Sequence, residues 1–216
     1  MTSTSDVIES LVADARPVRR LRPPALRALC WLMLAALMLA LVAVGHGVRP
    51  DLMLKLRQPV FTAGVVAALM TGVLAAMAAF IASVPGRSRW WLLLPAPALA
   101  AWISTIGYGC LTDWVSVGPE GISLGETARC FATLALTSIP LSLAMLIMLR
   151  YMAHLSPAPV AMMGSLAVAA MTAVALSLFH PLEASVLILV WNFGVAALFL
   201  TFSGLHGKRL LEWPTR

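Results

Sequence analysis

Charged residues are scarce in this sequence. Only 11% of its 216 residues are Asp, Glu, Lys or Arg, against about 25% in an ordinary soluble domain. Residues of the apolar set make up 61%, and the mean hydropathy is +0.92. A buried core cannot absorb that much apolar surface, so hydrocarbon is the expected solvent. Cysteine is nearly missing as well: three thiols exclude a disulfide scaffold, and each must be judged by its position. No acidic residue falls in the middle of a long apolar run, which counts against a proton-coupled transporter, where such carboxylates mark the path. There is no phosphate-binding glycine loop, no HExxH, no serine nucleophile elbow and no CxxC. The first 24 residues are polar and lack an apolar core. No cleavable signal peptide is therefore expected, and the first span serves as an uncleaved anchor.

What is present is long apolar stretches. Roughly 20 apolar residues are needed to cross about 30 Å of hydrocarbon. Six stretches qualify: 25–45, 61–84, 90–110, 131–149, 159–179 and 184–205. The expectation is an all-α, polytopic membrane protein with six transmembrane helices. It divides into an amphipathic N-terminal segment over 1–24, a transmembrane domain over 25–205 and a basic tail over 206–216. Pro95 and Pro97 in the third span, and Pro140 in the fourth, are expected to kink their helices. Trp31, Trp90, Trp91 and Trp114 fall at span ends, where indoles favour the interface.

The basic residues set the orientation. With both termini on one side, that side holds Arg16, Arg19, Arg20, Arg22, Arg27, Arg87, Arg89, Arg150, Lys208, Arg209 and Arg216. The other side holds only Arg49, Lys55, Arg57 and Arg129. By the positive-inside bias, both termini are cytoplasmic. The outer side carries five of the nine acids, namely Asp51, Asp113, Glu120, Glu126 and Glu183, and is close to neutral.

Three places can carry function. The first is the N-terminal segment, where Val7, Ile8, Leu11, Val12 and Ala15 recur on one face of a helix. Ser5 or Asp6 is the expected N-cap, and Pro17 the stop. A basic run from Arg16 to Arg22 follows, leading into the first span. Such a helix can lay its apolar face into a partner's groove. It can equally lie on anionic lipid, held by its arginines.

The second place is the outer boundary. Cys110 closes the third span, Cys130 opens the fourth, and His180 with Glu183 lies between the fifth and sixth; His46 ends the first. Two thiols and an imidazole at one depth suit a soft ion such as Cu(I) or Zn(II). The two thiols alone suit a disulfide in an oxidising compartment. Small buried residues filling helix ends would look the same. Cys30 reads as packing on the inner side, and His154 and His206 as solvated.

The third is Ser104-Thr105-Ile106-Gly107-Tyr108-Gly109, which is close to the TVGYG filter of potassium channels. A filter follows a short re-entrant helix, whereas this motif ends a full-length span, so the channel reading is weak. The two glycines read more simply as a flexible helix end.

Together these residues resemble the NrsF-like family, membrane-embedded anti-sigma factors that hold an extracytoplasmic-function sigma factor. The resemblance runs over almost the whole chain. It rests on Asp6-Val7-Ile8-Glu9-Ser10-Leu11, Pro17-Val18-Arg19-Arg20-Leu21-Arg22-Pro23-Pro24 and Pro85-Gly86-Arg87-Ser88-Arg89. Gly109-Cys110-Leu111 with Trp114, Gly118-Pro119-Glu120-Gly121, Cys130, His180-Pro181 and the Trp191 region complete it.

The resemblance implies that the N-terminal segment holds the sigma factor at the cytoplasmic face, with Val7, Ile8, Leu11, Val12, Arg19 and Arg20 as the contact residues. A periplasmic oxidative or metal signal, read by Cys130 with Cys110, would release it. One departure matters: where many members carry a second key cysteine before the proline between spans five and six, this chain has His180. A disulfide from Cys130 to that position is impossible here. Either Cys110 serves as redox partner, or Cys110, Cys130 and His180 bind a copper or zinc ion. The rival classes are a quinone-linked membrane thiol oxidoreductase and an ion channel or transporter. Neither explains the amphipathic N-terminus.

Overall fold

The computed structural model describes residues 4–13, 22–84, 86–113, 124–149, 157–179 and 194, and every regular element among them is helical. A short N-terminal helix, α1 (Thr4–Ala13), precedes α2 (Pro24–His46), the one-turn α3 (Leu52–Lys55) and α4 (Pro59–Ala82). A 3-10 turn (Arg89–Leu93) leads into α5 (Ala96–Asp113), followed by α6 (Leu124–Leu149) and α7 (Pro157–Phe179). Among the described residues, five segments are long and apolar enough to cross a membrane: Pro24–Gly45, Pro59–Ala82, Arg89–Gly107, Ala132–Leu149 and Ala158–Phe179. The expected sixth span lies outside the described residues.

The helix starts follow from proline chemistry. Pro24 and Pro59 occupy the first helical turn of α2 and α4, and Pro157 opens α7. There the missing N–H costs no hydrogen bond and the ring presets φ. Gly47 ends α2 at φ 75°, its N–H returning to the carbonyl of Ala43, a backbone state that glycine adopts without strain.

Helices α4 and α7 form the centre, and α2, α5 and α6 pack around them. Small residues allow this: Ala67, Ala68, Thr71, Gly72, Ala75, Ala76 and Ala79 of α4 are buried, so its backbone approaches α7 closely. A Cβ on Gly72 would lie 2.9 Å from Met171 Cε and 3.4 Å from Ala170 Cβ. The buried hydroxyls of Thr71, Thr137 and Thr172 donate to the carbonyls of Ala67, Thr133 and Val168, four residues back. These three hydroxyls are thus satisfied within their own helices. Outward faces are apolar instead: Leu29, Met33, Leu37, Leu41 and Val44 on α2, and Leu136, Ile139, Leu143 and Leu146 on α6. Water would penalise such stripes, and hydrocarbon accepts them.

Several sequence expectations need correction. Helix α6 begins at Leu124, seven residues before the expected start, and α5 runs on to Asp113. Gly107 and Gly109 are therefore helical rather than a flexible end, and a helix cannot line up carbonyls as a filter does. The hydroxyls of Ser104 and Thr105 are committed to the carbonyls of Ala100 and Trp102. The break expected near Pro95 is present, as the turn between the 3-10 segment and α5. Helix α6 continues through Pro140 as one element. Trp31 is not interfacial but fully buried, while Trp90 is 78% exposed. Cys30, expected as packing, is exposed.

Candidate functional site

Helix α1 confirms the helical periodicity of the N-terminal segment, but it is already helical at Thr4, so Ser5 and Asp6 lie in its first turn rather than capping it. Val12 is 69% exposed. The side chains of Val7, Ile8 and Leu11, and all of Arg19 and Arg20, lie outside the described residues.

The segment enters the bundle through a built mount. Leu26 and Arg27 direct their N–H groups to the carbonyl of Pro23. The Arg27 side chain turns inward, its Nε donating to the carbonyl of Arg22 at 3.2 Å and its guanidinium lying 5.5 Å from the Phe80 ring centre on α4. An arginine at a span end ordinarily snorkels to water, yet Arg27 is only 7% exposed. One turn further, the Trp31 indole donates to the carbonyl of Leu141 on α6.

The opposite end of α2 carries a second arginine cluster. Arg49, 5% exposed, donates from Nε and Nη2 to the two carboxylate oxygens of Asp51, both at 2.7 Å. Its guanidinium lies 5.9 Å from the Phe61 ring centre on α4. Its backbone N–H reaches the carbonyl of Leu178, in the last turn of α7. Hydrogen bonding from Arg49 holds the Asp51 carboxyl below the usual carboxylate range.

Cys110 falls inside the last turn of α5, and Cys130 about two turns into α6. Both belong to the bundle end that carries Arg49: Thr105 of α5 abuts Gly64 near the start of α4, and Met145 late in α6 lies against Gly164 early in α7, whose last turn meets Arg49. Their side chains, and His180 altogether, lie outside the described residues. Among the described residues no group of three or more His, Cys, Asp or Glu comes together.

A shallow crevice between α4 and α5, lined by Pro59, Val60, Ala63, Ser104 and Thr105, offers no ionisable side chain. In the charge count Arg27 and Arg49 set the orientation, and nothing in it marked either as buried. The available signal was an arginine just inside or beside an apolar run, with an aromatic residue at the matching end of the next span.

No curated protein and no solved structure matches the chain. The family model described as negative regulator of sigma F matches residues 11–213, taking in Leu11, Val12, Arg19, Arg20, Cys110, Cys130 and His180; Val7 and Ile8 precede it. With that match covering nearly the whole chain, the protein belongs to the NrsF family, negative regulators of sigma F.

Proposed function

We propose that this chain is an integral inner-membrane anti-sigma factor, with both termini cytoplasmic, that sequesters an extracytoplasmic-function sigma factor through residues 1–24. The contacts are the apolar face of Val7, Ile8, Leu11 and Val12, together with Arg19 and Arg20. Release follows a periplasmic signal read by Cys130 with Cys110, with His180 completing a copper or zinc site. The observation that carries this reading is the family match across a chain with five membrane-length helices among its described residues. In support, the N-terminal helix presents an apolar residue, Val12, to its surroundings. A helix with an unburied apolar residue suits a partner groove. The orientation rests on the basic residues.

Co-purification in detergent tests it. The full-length chain, and a form lacking residues 2–22, are each expressed with the sigma factor encoded beside them. Retention by the first and loss by the second is the expected result. Retention by both moves the contact to the inner loops or the C-terminal tail. Retention by neither overturns the anti-sigma reading.

A further inference from the structure

We propose that Arg27 and Arg49 are positioning residues at the two ends of α2. Through this helix, the Arg49 end of the bundle sets the affinity of the N-terminal segment for the sigma factor. The proposal rests on the function proposed above.

Three observations carry it. First, α2 is a stiff element: it has no proline or glycine between Ala25 and Val44, so none of the usual causes of a kink is present. Second, its body is held by a narrow stripe. Ala28, Trp31, Ala35 and Val42 are buried, while Leu29, Met33, Leu37, Leu41 and Val44 are exposed. Close packing along this stripe passes a displacement at one end along the helix instead of absorbing it.

Third, both ends are fastened by buried arginines. Burying a guanidinium at a helix end is costly unless it is paired, and here each is folded over an aromatic ring of α4. At the Arg49 end the backbone is tied to Leu178, two residues before His180. A displacement of the end of α7 therefore pulls directly on α2. At the other end, the Nε of Arg27 grips the carbonyl of Arg22, immediately before the stiff Pro23-Pro24 pair. Movement of α2 is passed to the residue from which the N-terminal segment departs.

The two arginines are roughly 30 Å apart along the helix at 1.5 Å per residue. Substitutions at sites so distant normally act additively. Non-additivity is therefore the signature of one shared element, and merely local damage would not produce it.

The test is a double-mutant cycle on the full-length chain in lipid nanodiscs, reading the Kd for the sigma factor encoded beside it. Arg27→Ala and Arg49→Ala are each expected to shift Kd by about tenfold, a usual size for coupling between sites. The double variant is expected to match one single variant rather than multiply the two shifts. An unchanged Kd for Arg49→Ala, or multiplying effects, overturns the inference while leaving the anti-sigma function intact. Absence of binding by the unsubstituted chain overturns the function itself. Should an alanine variant aggregate, Phe80→Leu and Asp51→Asn probe the same two fastenings, with the same outcomes deciding.

Discussion

The indole N–H of Trp31 on α2 donates to the backbone carbonyl of Leu141 on α6 at 3.2 Å, joining residues 110 positions apart in a fully buried contact. Trp31→Phe loses the donor and the pyrrole part of the indole. It should lower stability by about 1–3 kcal/mol, the interhelical hydrogen bond plus the packing lost around the smaller ring. Trp31→Ala also opens a cavity and should cost roughly 3–5 kcal/mol. Thermal unfolding in one detergent checks both, and equal losses would deny the indole its packing role.

Gly72 should tolerate alanine and reject larger residues. The nearest atom to an added Cβ is Met171 Cε, the far end of a flexible side chain. Gly72→Ala is expected within about 1 kcal/mol of the native chain, and Gly72→Ile lower by about 1–3 kcal/mol through overpacking. Detergent melting curves of the two variants decide, and an undisturbed Gly72→Ile would mean that α4 and α7 are not in close contact there.

Asp51 predicts an acid limb. Its carboxyl is held below the ordinary carboxylate value of about 3.9 by the Arg49 hydrogen bonds. A depressed folded-state value means the contribution is present above that ordinary value and is lost as pH falls through the folded one. The native chain should therefore lose stability as pH falls below about 4 more steeply than Asp51→Asn does. Parallel slopes in a pH series of melting temperatures would show that the pair does not couple to folding.

Cys130 tests the sensing reading. Cys130→Ser should keep the sigma factor bound when cells are challenged with copper(II) chloride or with diamide. A sigma-dependent reporter should then stay at its uninduced level. Full induction in that variant would remove Cys130 from the signal path. Cys110→Ser separates the two chemistries: a disulfide sensor loses the diamide response, whereas a Cys130–His180 metal pair keeps some copper response.

The spans were legible because each apolar residue carries its own transfer free energy into hydrocarbon. A run such as 61–84 therefore announces itself, and α4 lies within two residues of it. The helical character of α1 followed likewise from the local recurrence of Val7, Ile8, Leu11 and Val12. Helix ends were less legible. The polar turns of α6 around Glu126 and Arg129 carry no hydropathy signal, yet they extend the helix by seven residues. Glycines 107 and 109 read as a flexible end, but a helix satisfies the backbone N–H and C=O groups internally, which outweighs glycine's low helix propensity.

By itself, the sequence determined the apolar spans, the amphipathic segment ahead of them and the family. All three depend on residue identity and order, and hydrocarbon acts on residues one at a time. Tertiary structure alone decided which of many arginines and tryptophans are buried. The ring beneath Arg27 comes from α4, the acceptor for Trp31 from α6, and the carbonyl joined to Arg49 from α7. A guanidinium or an indole chooses between water and the interior only when partners brought from other helices can satisfy it.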